Sequence, residues 1–577
     1  MFSIYYNKNN NSTIFDHLEK NDFQNVQNYV PLYESYFNLD EKNYNSINLN
    51  HKNRINSIVK QYTNNSFKIT CLDNSNNKMT TDSFFKFSPL LDPVKFMVGK
   101  YKNISKEKLT TLPRLNNNTN IHEKVLDQNN SAYVDSFFSY LTSQLYNSAG
   151  FIHGLDFYGS FLGIKNKLKL NVYDDLEYLF DSDFFHKQKN KLFDVDDVDE
   201  ERLLEGDTRN YRKKIVLESE EVNLDIESID EYPINGSFKL TEKNLEKHDN
   251  ELKEEYSVVN NEENKNKSEK RTNSTCSSRT SNTSNEEDSE EDSEEDSGED
   301  SIESCENSQI SDYSSLSEEN IYALINNFPV QIICLEKMDN TLDYLLNDEE
   351  DNDKTESLNS REWASCLFQI IMTLITYQKI FDFTHNDLHT NNIMYQKTER
   401  TFINYKYNNV YYRVPTYGKI YKIIDFGRAI YSFNGKTICS DSYHPKGDAA
   451  TQYNFEPYFN ENKPRLKPNK SFDLCRLACS LYDFFVDDIE NEKKIKNPIA
   501  KLIIKWTKDD KNRNILYKNN GEERYPDFKL YKMIVRTVHN HIPEAQLTNP
   551  IFSKYKSSKK KIKKGKIINI DNMESMT

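Results

Sequence analysis

Between residues 281 and 320 the chain carries 16 acidic residues and no Lys or Arg, in runs such as SEEDSEEDS over 289–297. A stretch this rich in serine and like charge cannot bury enough apolar surface to offset the entropy of ordering it. Any fold adopted by the 577 residues must therefore be assembled from the two sides of the run. The hydrophobic pattern already fades near residue 185, so 185–320 is read as one acidic, low-complexity, disordered insertion. The net charge of −16 is the same feature seen again, because outside the run the remaining 75 acidic residues balance 75 basic ones. The overall acidity is thus no argument against an anion-binding site elsewhere. Serines followed by acids within 289–297 are candidate acidophilic phosphorylation sites, although a solvated spacer is the plainer reading.

The eight cysteines show neither CxxC pairs nor zinc-like Cys/His spacing, as expected of reduced thiols in an intracellular, soluble protein. The start MFSIYYNKNNNS lacks a charged then apolar leader, and no apolar run approaches the ~20 residues of a membrane span. The basic stretch KYKSSKKKIKKGK, 554–566, has eight lysines. It is expected to be a disordered, solvated tail whose candidate contacts are nucleic acid, an acidic surface or the acidic insertion itself.

Residues 54–87 read as three short strands, INSIVKQY, SFKITCL and DSFFKF, divided by the turn-formers TNNS and DNSNNK. Val134, Phe137, Phe138, Leu141 and Leu145 recur at helical spacing over 131–146, and the strand LDFYGSFLGI follows. Beyond the insertion, PVQIICLEKM at 329–338 has the continuous apolar run of an interior strand, and 361–380 is a long amphipathic helix. That helix leads into FTHNDLHTNNIMY, of the form H-x-D-x-x-x-x-N through His385, Asp387 and Asn392; the hairpin after it ends in YKIIDFGRAI, with Asp425, Phe426 and Gly427.

Either pattern alone is weak, but their order and their setting among buried elements make the pair specific. The arrangement meets the demands of phosphoryl transfer, in which positioning and charge neutralisation supply most of the catalysis. Asp387 is suited to orient an attacking hydroxyl, and Asn392 and Asp425 offer the hard oxygen ligands that Mg²⁺ prefers.

On these residues the sequence resembles the protein kinase superfamily. The resemblance implies an α+β, two-lobed protein-kinase-like fold with a small β-rich N-lobe and a mostly helical C-lobe. It places an N-terminal extension at 1–53, the first part of the N-lobe at 54–184, the last strand and hinge at 321–338, the C-lobe at 339–552 and the basic tail at 553–577. ATP and Mg²⁺ are the implied cofactors, and a protein of unknown identity the implied substrate. Lys86 in FFKF is similar to the phosphate-binding lysine, with Asp135 or Glu123 as its partner acid. Leu335-Glu336-Lys337-Met338 resembles the gatekeeper and hinge, where backbone groups at Glu336 and Met338 would bind adenine. Asp473 in SFDLCRLACSLYDFF resembles the acid that anchors the catalytic loop.

The chain also departs from that pattern. No glycine precedes Gly99, so the turn facing the nucleotide is Thr63-Asn64-Asn65-Ser66, and Asn64 and Asn65 replace a glycine-rich loop. Asn386 takes the place of the loop arginine, which argues against control by activation-segment phosphorylation, although Thr437, Ser440, Ser442 and Tyr443 are available there. His389 replaces a lysine, and D-L-H resembles loops of haspin-like kinases and of aminoglycoside and choline kinases. No A-P-E follows the DFG, and Phe455-Glu456-Pro457 is the candidate substitute. Three functions follow as expectations: a protein Ser/Thr kinase, a pseudokinase scaffold that binds partners, and a small-molecule phosphotransferase. The split core and Asn-rich composition are similar to divergent kinases of large DNA viruses, which implies a place in the host cytoplasm or the virion.

Overall fold

A computed structural model describes residues 2–116, 119–196, 321–347, 358–486, 489–562 and 566–577. The strand Lys78–Pro89 shows how alternation sets the layers of the N-terminal region. Ser83, Phe85 and Phe87 are buried on one face, whereas Phe84 and Lys86 lie on the other. This strand is central in a seven-stranded antiparallel sheet. In spatial order the sheet runs Phe23–Gln27, Phe157–Asn171, Tyr322–Glu336, Lys78–Pro89, Ser66–Asp73 and Asn53–Gln61, and Phe193–Val195 also pairs with Tyr322–Glu336. Lys86 stands opposite Ile333, and Ser83 opposite Glu336, so strands from the two sides of the acidic insertion lie directly side by side. The helix Ser131–Gln144 packs on this sheet and is buried along almost its whole length.

Two boundaries differ from those expected. Residues 1–53 are more than an extension, because Phe23–Gln27 pairs with Phe157–Asn171 and the helix Ser12–Lys20 buries Ile14 and Leu18. Ordered structure also continues past residue 184. The helix Asp183–Gln188 and the strand Phe193–Val195 bring Phe185 and Phe193 together as a stacked pair 5.4 Å apart, both fully buried. Val195, Asp194 and Phe193 then pair with Ala323, Leu324 and Ile325. The remainder of the expected insertion, 197–320, with its candidate phosphorylation sites, lies outside the described residues.

The C-terminal region is mainly helical, built on Ser360–Phe381, Phe472–Phe485, Pro498–Trp506 and Lys529–Thr537. Asn359 opens the first of these with a capping box closed by Glu362. By length and composition alone Ser360–Phe381 could cross a bilayer. However, 94% of its apolar window is buried in the protein, as a central core helix requires. The hairpin Phe402–Tyr407 and Val410–Pro415 expands the connection between Asn392 and Asp425.

The tail expected to be disordered docks on that hairpin. Lys556–Ser557 pairs with Val410–Pro415, and Ile567–Asn569 adds a parallel strand to Phe402–Tyr407. The cause is the apolar sequence around and beyond the lysines: Ile562, Ile568, Ile570 and Met573 are all buried, while Lys559, Lys560, Lys561 and Lys566 remain exposed. Lys563 and Lys564 lie outside the described residues.

Candidate functional site

The loop carrying Asp387 is held from below by a buried acid. Asp473, in the first turn of Phe472–Phe485, accepts hydrogen bonds from the backbone N–H of His385 at 3.0 Å and of Asn386 at 2.9 Å. The bend needs a residue with φ of 64° at position 386, a conformation that Asn adopts more readily than most side chains. Asn386 is fully buried, donates to the carbonyls of Thr384 and Arg428, and accepts from the Tyr453 hydroxyl. His385 donates from Nε2 to the Ile424 carbonyl at 2.9 Å, since its Nδ1 accepts from the Asp387 N–H at 3.3 Å. Asn392 donates from Nδ2 to the Asp387 carbonyl at 2.9 Å and to His389 Nε2 at 3.0 Å. His389 is thereby an acceptor at Nε2, in keeping with burial pushing its imidazole down to about 4, an effect Asp387 only partly offsets.

Across the cleft, Lys86 joins two carboxylates. Its Nζ lies 2.6 Å from Asp135 Oδ2 and 2.8 Å from Asp425 Oδ1. The partner acid is thus Asp135, from the buried helix Ser131–Gln144, whereas Glu123 is an exposed residue opening the short helix Glu123–Leu126. Asp135 also accepts from the Phe426 N–H at 2.9 Å through its other oxygen. Burial acts to raise the Asp425 carboxyl, but the Lys86 ammonium outweighs it and holds the group well below the usual carboxylate range. Asp135 moves the opposite way: its burial is nearly complete, and that exceeds the help it receives from Lys86. Phe426 is fully buried against Phe138, His385 and Phe383, which turns the preceding Asp425 outward.

These groups line a cavity of about 530 Å³ that contains Lys86, Asp135, Asp387, Asn392 and Asp425 together with Arg428. Tyr531 donates its hydroxyl to Asp387 Oδ1 at 2.9 Å, and Arg476 Nε lies 2.9 Å from the same hydroxyl. Burial acts to raise the Asp387 carboxyl; His389, Arg428, Arg476 and the Tyr531 hydroxyl outweigh it and keep the group below its ordinary value. Arg428, which follows Gly427 directly, pairs with Asp448.

The other expected residues lie elsewhere. Glu336, Met338, Asn64 and Asn65 do not line this cavity. Glu336 is buried; its carboxylate accepts from Lys422 and from the Asp156 N–H, and its own N–H donates to the Asp156 carbonyl. Met338 is buried and Asn64 exposed. Asn65 acts as a brace on Lys86's strand: its Nδ2 donates to the Phe85 carbonyl at 2.7 Å, and its carbonyl accepts from the Phe85 N–H at 2.7 Å. With its side-chain and main-chain groups engaged in this way, Asn65 is a strand-to-strand tie.

The segment after Gly427 is clipped to the helix that carries Asp135. Asp441 accepts from the Ser131 N–H at 3.0 Å and pairs with Lys124, and its own N–H donates to the Asn129 carbonyl. Ser440, Ser442 and Tyr443 are buried and Thr437 is exposed. Glu456 forms a two-pronged ion pair with Arg465 near the surface. Sequence reasoning did not single out Arg428, Asp441, Arg476 or Tyr531. Arg476, three residues after Asp473 on the same helix, and Arg428, directly after Gly427, left local signals; the partners of Asp441 and Tyr531 come from distant parts of the chain.

No family model matches the chain. Uncharacterized protein 098R of invertebrate iridescent virus 6 is 30% identical to it over 178 residues, which is 30% of this chain. The matched stretch covers about a quarter of that relative, 26% of its length.

Proposed function

We propose that this protein is an ATP- and Mg²⁺-dependent phosphotransferase acting on Ser/Thr hydroxyls of a protein. The observation that carries the reading is Lys86 bridging Asp135 and Asp425, with Phe426 buried behind them and Asp387 and Asn392 in the same cavity. The order of the sheet strands around Lys78–Pro89 also supports a kinase-like N-lobe, and the anchoring of the Asp387 loop by Asp473 supports a kinase-like C-lobe. The donor set fits the cofactors by its chemistry. Asp425 presents a carboxylate that is 46% exposed, and Asn392, whose amide nitrogen is already engaged, has its Oδ1 left to ligate a hard cation. Bound Mg²⁺ would neutralise charge on the phosphates of ATP. Lys86 binds those phosphates, and Asp387 orients the acceptor hydroxyl and accepts its proton. The similarity to an iridescent virus protein supports the viral origin expected from the sequence.

The test is transfer of labelled phosphate from MgATP to a protein acceptor by the full chain, compared with Asp387→Asn. Loss of transfer in the variant is expected, and transfer that survives the change would overturn the assignment. The brace formed by Asn65 favours a second reading, a scaffold that binds partners without transfer. A wild type that MgATP does not stabilise against heat would favour that scaffold, because binding to the native state raises stability by mass action.

A further inference from the structure

The helix Phe472–Phe485 approaches the Asp387 loop twice. Asp473 holds the loop backbone, and one turn later Arg476 points to the same loop through Tyr531. The direction of this relay follows from donor chemistry. A guanidinium has no acceptor, so Arg476 Nε must donate to the Tyr531 oxygen, and the phenolic hydrogen is left to donate to Asp387 Oδ1. Both intermediate groups are buried, Arg476 at 2% and Tyr531 at 1% exposure, which shields the bond between them from water. The Tyr531 ring is itself fixed, stacked 5.5 Å from Phe528 and tilted against Phe472 at 6.0 Å.

From this geometry, and resting on the phosphotransferase reading above, we propose that Tyr531 and Arg476 are positioning residues for Asp387. The relay fixes the rotation of the carboxylate about its side-chain bonds, so that one oxygen is committed to Tyr531 and the plane of the group is set before the acceptor hydroxyl arrives. Preorganising the group in this way removes a reorientation step from the reaction. Asp473 and Arg476 act on different parts of the loop, the first setting its backbone and the second its reacting side chain. Tyr531 does not line the cavity and its hydroxyl acts on the Asp387 carboxylate, so the effect of the relay belongs to turnover.

Tyr531→Phe separates this role from simple packing, because it keeps the ring and removes only the hydroxyl. In the full-length protein, Tyr531→Phe is expected to lower kcat about 10- to 100-fold. KM for MgATP and the thermal shift produced by MgATP should stay at wild-type values. Wild-type kcat in Tyr531→Phe would overturn the proposal while leaving the phosphotransferase reading intact. A wild type that transfers no phosphate overturns both.

Discussion

Removing the Lys86 ammonium would leave Asp135 and Asp425 facing one another with no countercharge between them. Lys86→Met is therefore expected to destabilise the protein by about 2–3 kcal/mol, toward the lower end for breaking a buried pair because Lys86 is partly exposed. It should also abolish stabilisation by MgATP. Urea unfolding with and without MgATP measures both effects, and adding Asp135→Asn should restore much of the stability without restoring the nucleotide response. His389 poses a different question at the same scale. Held near 4 and accepting a hydrogen bond from Asn392, it is neutral at physiological pH and brings no positive charge to the cavity. Turnover of wild type and of His389→Gln should then follow the same profile between about pH 6 and 8. A decline centred near the ordinary imidazole value of ~6.5 in wild type alone would show that the ring works charged.

Single elements join parts of the molecule that are far apart in sequence. Asp441 fastens the segment after Gly427 to the N-terminus of Ser131–Gln144, where a carboxylate also meets the positive end of the helix. Asp441→Ala leaves the half-buried Lys124 without this partner and the Ser131 N–H without its acceptor, at an expected cost of about 1–3 kcal/mol. Hydrogen exchange should accelerate together in 428–447 and in the first turn of that helix; acceleration in only one of the two would show that they are not coupled through Asp441. The C-terminal strand Ile567–Asn569 is a second such tie. Beyond it, the Met576 N–H donates to the Ile380 carbonyl and the Met576 carbonyl accepts from the Asn434 N–H, linking the end of the central helix to the hairpin Ile430–Phe433 and Lys436–Cys439.

At the scale of the whole molecule, one hydrophobic cluster spans both sides of the acidic insertion, with Phe85 and Phe138 from the first part and Phe383 and Phe426 from the second. Burial in this core also gives the stability a pH dependence. His51 and His153 are each pushed down to about 4, chiefly by desolvation, with backbone hydrogen bonds to Tyr158 and Tyr421 acting the other way. With an unfolded pKa of ~6.5, each binds a proton in the unfolded chain before it does so in the fold. Their stabilising contribution is thus complete above about pH 6.5 and is lost as pH falls toward 4. The midpoint of thermal unfolding should drop between pH 7 and pH 5. His153→Asn should flatten that slope, and an unchanged slope in this variant would rule out its share.

Much of this was legible locally. The strands around Lys86, the helices Ser131–Gln144 and Ser360–Phe381, and the loop from His385 to Asn392 each announce themselves through period, caps or spacing. The sequence by itself determined which segments are apolar on one face and which side chains carry the acid, amide and ammonium groups. It left open whether Asp135 or Glu123 reaches Lys86, and it misjudged Asn65 and the tail, because each outcome depends on a partner supplied from elsewhere in the chain. Only the tertiary structure decided that Asn65 is occupied by the Phe85 backbone, that Ile568 and Ile570 find a hairpin to cover, and that Tyr531 meets Asp387. The physical reason is that hydrogen bonds and burial are properties of pairs, and residues 387 and 531 become a pair only after the helices between them have packed.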